Sequence, residues 1–213
     1  MKSLAKYISQ LKTLHSLNEF IDEKLIINKN SNIVGITYKY HPKTREELIE
    51  ILSKLCDYDN EIYMKNYILD VSNIDVSNIN DFSNIFLSID NASYVRMKKL
   101  IISGWDTSSA TNMCQMFGGL LEVEEIIGID ELNVSNVIDM SWMFAQCTSL
   151  KKIDLSKWNV KKCKDFSYMF CGCRKIEHIG NIEGWKIDHI TDTEKMFSGC
   201  KKLNDIPSWW LCK

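Results

Sequence analysis

The segment NVSNVIDMSWMFAQC, residues 133–147, contains the pattern that determines the fold. Within it, Asp139 is followed by apolar residues at positions 140, 143, 144 and 147. This spacing predicts a short helix with one apolar face. Aspartate is a preferred residue at helix N-termini because its carboxylate accepts a backbone N–H. A helix of about two turns does not persist alone in water, so the segment needs neighbours to pack against.

The same pattern recurs along the chain and predicts a repeat protein. A phenylalanine preceded by methionine or isoleucine occurs at five positions, separated by 31, 27, 26 and 27 residues: Phe86, Phe117, Phe144, Phe170 and Phe197. Five residues before each comes an aspartate or asparagine: Asp81, Asn112, Asp139, Asp165 and Asp192. Twelve residues before each comes a large apolar residue: Ile74, Trp105, Leu132, Trp158 and Trp185. Repeats of this length stack into arrays in which each unit contacts its neighbours.

A second pattern between the phenylalanines predicts a strand in each unit. Leu150, Ile153 and Leu155 have the L-x-x-L-x-L spacing that is typical of leucine-rich repeats, and residues 97–102 match it position for position. Stacked units are expected to form a parallel sheet on one face and short helices on the other, because neither element buries its apolar side alone. The predicted fold is an α/β repeat solenoid, leucine-rich-repeat-like, of about five coils over residues 66–213.

Residues 1–65 are expected to form an N-terminal α/β cap, since a solenoid exposes the apolar end of its first coil. Within the cap, Thr44 and Glu47 form a capping-box pattern. It predicts a helix with one apolar face: Leu48, Ile51, Leu52 and Leu55. Residues 2–14 predict another amphipathic helix and residues 33–40 a strand. At the other end, we expect the apolar residues 208–212 to fold over the last coil rather than to contact a partner.

The units resemble the BspA-type leucine-rich repeat, in the variant common in mycoplasma surface lipoproteins and in gut-bacterial and phage proteins. The resemblance covers about residues 70–213 and is carried by WDTS (105–108), NVIDMSWMFAQC (136–147) and WNV (158–160). Residues 38–48 look like the segment that often precedes these repeats. The last unit departs from the pattern, since Thr193 replaces methionine. The resemblance implies a binding scaffold whose partner is usually unknown.

Composition argues against several classes of protein. Lysine and arginine number 26, aspartate and glutamate 28, and the net charge is −2, so no nucleic-acid partner is expected. No stretch approaches the roughly 20 apolar residues of a membrane span, and the start of the chain lacks the apolar region of a signal peptide. We therefore expect a cytoplasmic protein. The four histidines are scattered and no catalytic motif occurs, so we expect neither enzymatic activity nor a cofactor.

Three series of residues at equivalent repeat positions have a structural and a chemical interpretation. The cysteines at one repeat position are Cys147, Cys173 and Cys200. They are expected to be small apolar core residues. The alternatives are disulfides or a zinc site that includes Cys171 and His178. The aspartate and asparagine series is expected to cap helices, with calcium binding as the alternative. The tryptophans are expected to form an apolar ladder, with carbohydrate binding as the alternative: Trp105, Trp158 and Trp185.

Two surfaces are candidates for binding a protein partner. On the sheet face, the positions between the core residues of the strands differ from coil to coil: Lys99, Ile101, Glu125, Ile127, Lys152, Asp154, His178, Gly180, Asp205 and Pro207. On the predicted helical face, Trp142 and Tyr168 are expected to form an exposed aromatic pair on neighbouring coils, and aromatic residues are enriched at interfaces. The expected function is a protein-binding repeat module without a metal. The alternatives are a phage- or mobile-element-encoded inhibitor of a host enzyme or defence complex, and a bacterial surface adhesin.

Overall fold

The fold was obtained as a computed structural model, which describes residues 38–56, 66–89, 96–185, 187–188 and 191–211. The chain divides into two compact units, residues 1–39 and 40–213. The elements reported below belong to the second unit. The helix predicted over residues 2–14 lies outside the described residues, as does most of the strand predicted over residues 33–40.

The described elements are few and short. Helix α1 (Arg45–Leu55) is followed by strands β1 (Ile68–Asp70), β2 (Lys99–Ile101) and β3 (Glu125–Ile127), a 3₁₀ turn η1 (Ile129–Glu131) and helix α2 (Ser208–Leu211). The three strands form one parallel sheet in the order β1-β2-β3. The centre of each strand is a buried residue, and these pair in register: Leu69, Leu100 and Ile126.

Helix α1 begins where its capping residues place it. Thr44 is the N-cap, and its hydroxyl accepts the backbone N–H of Glu47 at 3.2 Å. The Glu47 carboxylate in turn accepts the N–H of Lys43 at 2.7 Å. Leu48 and Leu52 are fully buried in the same apolar cluster as the repeats. The predicted cap and apolar face of this helix are confirmed.

The repeated phenylalanines form one interior column. Four ring pairs stack in sequence from Phe86 to Phe197, with centroid separations of 5.9, 5.3, 5.3 and 5.6 Å. The interplanar angles run from 6° to 23°, and no ring of the column is more than 7% exposed. Residues about one repeat apart in the sequence therefore lie above one another, as the repeat predicts.

The short helices predicted beside this column are wrong for the described repeats. Residues 140–147 form a succession of turns instead, because Trp142 (φ 58°) and Gln146 (φ 60°) adopt the left-handed conformation, which interrupts a right-handed helix. The N–H of Trp142 donates to the carbonyl of Ser167 at 2.9 Å, and that of Phe144 to the carbonyl of Met169 at 2.8 Å. These bonds to the next coil alternate with local bonds to the residue three positions earlier, such as that from Ala145 to Trp142 at 2.9 Å, in place of the i to i−4 bonds of an α-helix.

The aspartate and asparagine series forms a ladder at the start of these turns. Its five members pair as consecutive parallel bridges from Asp81 to Asp192. Each accepts, through its side-chain oxygen, the N–H of the residue two positions later, as Asp139 does from Ser141 at 2.8 Å. The capping role predicted for the series is therefore correct, although each residue caps a turn rather than a helix.

The C-terminal helix α2 covers the end of the phenylalanine column. The Trp210 ring meets the Phe197 ring edge-on, with centroids 5.3 Å apart. The indole N–H of Trp209 donates to the carbonyl of Ile182 at 3.3 Å. These contacts confirm, for residues 208–211, the prediction that this apolar segment folds over the last coil.

Candidate partner-binding surfaces

The repeated cysteines belong to the core. Their thiols donate to the carbonyls of Phe117, Phe144 and Phe170, at distances of 3.1, 3.0 and 3.0 Å. Burial raises the pKa of Cys147 to about 12, so this thiol stays protonated at neutral pH. Every cysteine in the described part of the chain is free. The described residues 38–56, 66–89, 96–185, 187–188 and 191–211 contain no group of three or more His, Cys, Asp or Glu side chains arranged to hold a metal ion.

The tryptophan series is also interior. Trp105, Trp158 and Trp185 are 3 to 5% exposed. The indole N–H of Trp105 donates to the carbonyl of Val71 at 2.9 Å, and that of Trp158 to the carbonyl of Ile129 at 3.1 Å. A buried ladder is what the apolar interpretation predicts. A carbohydrate would require exposed ring faces, which these three side chains do not offer.

Trp142 and Tyr168 form the aromatic pair that the sequence predicts. Their rings stack in parallel, with centroids 4.2 Å apart and planes 5° apart, and Trp142 is 38% exposed. The ammonium group of Lys195, from the following coil, lies 5.3 Å from the Tyr168 ring centroid. The same ammonium group donates a hydrogen bond to the Tyr168 hydroxyl at 3.1 Å, so Lys195 lies at the hydroxyl edge of the ring, whereas Trp142 stacks on its face. Trp142, Tyr168 and Lys195 share the left-handed backbone conformation.

The residues predicted on the sheet face lie together as expected. Glu125, Lys152, Asp154, His178 and Asp205 line one groove of about 1210 Å³. Ile127, Gly180 and Pro207 line it too. Lys99 lies beside it, with its ammonium group 2.7 Å from the Glu125 carboxylate. Ile101 belongs to β2, which is not among the lining segments.

The groove lies where the sheet opens. In the described chain, no backbone hydrogen bond joins residues 124–131 to residues 151–158, although strands β2 and β3 pair and Lys152 bridges His178. Leu132 follows its phenylalanine by 15 positions, one more than Trp158 in the next coil, but Trp185 also follows by 15 and its coil pairs with residues 153–155, so this additional residue does not by itself account for the opening. The chain accommodates the additional residue with Gly128, at φ 89°, and the turn η1. An alanine at Gly128 would place its Cβ 2.6 Å from the Ser103 backbone.

The groove carries more negative than positive charge. Its lining includes seven carboxylates and two lysines. Four carboxylates are paired with lysines at 2.7 to 3.6 Å: Glu124, Glu125, Asp130 and Glu177. Among the residues that the structure describes, the other three form no ion pair with a lysine within 4.0 Å: Asp154, Glu183 and Asp205. The unneutralised charge is therefore concentrated at the end of the groove formed by the later coils.

The three remaining carboxylates are held in place by uncharged groups. Asp154 accepts the N–H of Ser156 at 3.0 Å, and the hydrogen bonds from Ser156 lower the pKa of Asp154. Glu183 accepts the N–H and the hydroxyl of Ser208 at 2.6 and 2.8 Å. One oxygen of Asp205, Oδ2, accepts the N–H of Ile179 at 3.3 Å, and His178 Nδ1 lies 3.8 Å from the same oxygen.

The repeat pattern predicts neither the opening nor the acidic residues around it. Glu124, Asp130, Glu177 and Glu183 were not among the predicted positions because they flank the strands. The spacing between Phe117 and Leu132 does not signal the opening, because Phe170 and Trp185 have the same spacing in a coil that pairs with residues 153–155.

No helix in the described part of the chain is both long enough and apolar enough to cross a membrane. A family model described as "Mycoplasma protein of unknown function, DUF285" matches the chain over residues 58–152 and again over residues 89–210. Together these matches extend over more than half of the sequence. No curated protein and no solved structure matches the chain.

Proposed function

We propose, from the premise that the chain belongs to the family described as Mycoplasma protein of unknown function, DUF285, that it is a non-catalytic scaffold. In this proposal it binds a protein partner through the groove on its sheet face. The observation that supports this proposal is that equivalent repeat positions are constant in the interior and variable on the surface. The interior column keeps phenylalanine at every level, whereas equivalent groove positions carry Glu125, Lys152 and His178. Variable side chains on a constant frame suit recognition of one particular partner.

We also propose that residues 66–213 form a leucine-rich-repeat-like solenoid of the BspA type. The parallel sheet, the stacked phenylalanine column and the ladder of bridges from Asp81 to Asp192 support this assignment. A solenoid offers an extended surface for a macromolecule rather than an enclosed cavity for a small substrate. The shape of the groove, which crosses several coils, fits this role.

The aromatic pair is the second candidate surface and serves as a comparison. Exposed aromatic residues are frequent hot spots, which favours Trp142 as a contact residue. Its ring, however, already stacks on Tyr168 at 4.2 Å. We place the main contact in the groove, where side chains such as Lys152 and Asp154 are exposed to solvent.

Photo-crosslinking in the native cell tests this proposal. A photoreactive amino acid at position 152 should crosslink a specific protein, and one at position 161, exposed and outside the groove lining, should not. The captured protein is identified by mass spectrometry, purified and titrated against the unlabelled chain by calorimetry. A Lys152→Ala/Asp154→Ala variant should weaken this binding by about tenfold or more, and Trp142→Ala/Tyr168→Ala should change it little.

Other results would contradict the proposal. If only the aromatic variant weakens binding, the aromatic column is the contact surface. If neither variant does, both surfaces are wrong. The identity of the partner separates the three roles: a host enzyme or defence complex indicates an inhibitor, a surface receptor indicates an adhesin, and another protein of the same cell indicates a scaffold.

A further inference from the structure

We propose that the groove receives a cationic, extended protein segment, with one lysine or arginine side chain bound over Gly180 between Asp154 and Asp205. This inference rests on the proposed function and names the chemistry of the partner. It follows from the position of the two carboxylates, from the absence of an ion pair between them and any lysine in the described part of the chain, and from the opening of the sheet.

The two carboxylates flank the same short stretch of backbone. On one side, the Asp154 carboxylate lies so close to Gly180 that an added Cβ would collide with its Oδ1 atom. On the other side, Asp205 Oδ2 accepts the N–H of Ile179 at 3.3 Å. Asp154 comes from the preceding coil and Asp205 from the following one. Gly180 is half-buried and lines the groove, and the Asp154 carboxylate occupies the place where a side chain at position 180 would lie.

Both carboxylates can accept further hydrogen bonds from a cation. The hydrogen bonds that Asp154 receives come from uncharged Ser156, and Lys157, whose charge also lowers the pKa of Asp154, forms its ion pair with Asp130 at 2.9 Å. The second oxygen of Asp205, Oδ1, is buried and has no hydrogen-bond partner. A buried acceptor left without a donor is unfavourable. Because Oδ1 is closed to solvent, a guanidinium or ammonium group in the groove would meet the other oxygen, Oδ2, and would supply the opposite charge.

The shape of the groove favours an extended segment. It is lined by four successive stretches, residues 124–130, 151–154, 177–183 and 205–207, so a ligand lying along it would contact several coils. Ile127 and Pro207 provide apolar contacts at different levels. Paired lysines occupy the end near Glu124 and Glu125, which places the cationic contact at the opposite end, beside Gly180.

A defined peptide provides the test. We would measure, by fluorescence anisotropy, binding of a labelled peptide of alternating arginine and threonine, and of its counterpart with glutamate in place of arginine. The variants are Asp154→Asn and Asp205→Asn, in which the amide oxygen can still accept the backbone N–H. The matched control is Asp106→Asn, which removes the same charge from a similar turn, where Asp106 accepts the N–H of Ser108 at 3.0 Å, outside the groove lining.

We expect the arginine peptide to bind more tightly than the glutamate peptide, with an affinity that falls as salt is added. Each groove variant should weaken binding by about tenfold, while Asp106→Asn stays close to the unsubstituted chain. Equal effects of all three substitutions would indicate general attraction to an acidic protein and would overturn the proposal. So would preferential binding of the glutamate peptide, or no binding of either peptide.

Two further results separate this inference from the proposed function. If crosslinking at position 152 captures a partner whose binding is insensitive to Asp154→Asn and Asp205→Asn, the groove is a binding surface but the cationic contact is wrong. If sedimentation shows a dimer that these two variants dissociate, a second copy of the chain occupies the groove, and the cationic partner is again wrong.

Discussion

Replacing Phe144 by alanine tests the stacked column at its centre. Phe144 is fully buried, and its ring lies 5.3 Å from the rings of both Phe117 and Phe170. Truncating a buried phenylalanine to alanine costs about 3–5 kcal/mol. Two stacked partners place the expected loss at the upper end of that range, about 4–5 kcal/mol. Since domains are stable by about 5–15 kcal/mol, much of the folding free energy should disappear.

Urea-induced unfolding followed by circular dichroism measures this loss. Leucine substitutions keep most of the buried volume, so they isolate the ring pairs in double-mutant cycles. Phe144→Leu combined with Phe170→Leu should show a coupling energy of about 0.5–1.5 kcal/mol. Phe144→Leu combined with Phe86→Leu is the control, because the Phe117 ring separates those two residues. Its coupling energy should lie within about 0.5 kcal/mol of zero.

Two outcomes would refute this reasoning. A loss below about 1 kcal/mol for Phe144→Ala would mean that residue 144 behaves like a surface position. Equal coupling energies in the two cycles would mean that ring order along the column does not follow repeat order, which would contradict the stacking of coils.

Three further predictions concern other parts of the chain. Burial raises the pKa of Cys147 to about 12, so this thiol should resist a thiol reagent at neutral pH until the protein unfolds. Because the unfolded thiol ionises near a pKa of about 8.5, the contribution of Cys147 to stability should be lost as the pH rises from there toward 12. Cys147→Ala should remove that part of the pH dependence of the urea midpoint. Thr44→Ala removes the hydroxyl that accepts a backbone N–H in α1 and should cost about 1 kcal/mol in urea unfolding, whereas Thr44→Ser should be close to the unsubstituted chain. Gly180→Ala, at φ +82° and against the Asp154 carboxylate, should lower the thermal unfolding temperature with a loss of about 1–3 kcal/mol, whereas an unchanged temperature relative to Gly184→Ala, where an added Cβ meets no atom within 4 Å, would contradict the groove geometry.

The interior of this protein could be predicted from the sequence because equivalent repeat positions must bury the same kind of side chain. Phe117, Phe144 and Phe170 are stacked as their spacing predicts. Cys147 and Trp158 are buried for the same reason. Helix α1 was also predictable, since its capping residues and its apolar face are local features of the sequence.

The predicted short helices were wrong because an apolar spacing of i, i+3, i+4 and i+7 does not specify hydrogen-bond partners. In residues 140–147 the left-handed conformation of Trp142 interrupts the right-handed path that a helix would follow. The N–H of Phe144 then reaches the carbonyl of Met169 in the next coil. The same apolar residues are buried in either arrangement, so their pattern could not distinguish the two.

The sequence by itself determined the length of the repeat, the residues that face the interior and the capping role of Asp139 and its equivalents. The tertiary structure alone decided that the turns hydrogen-bond between coils, and that the sheet opens between β3 and residues 151–158. The physical reason is that burial depends on the composition of each unit, which the sequence records directly. Pairing of backbone groups depends on where the neighbouring coil lies, which the apolar pattern of one unit does not specify.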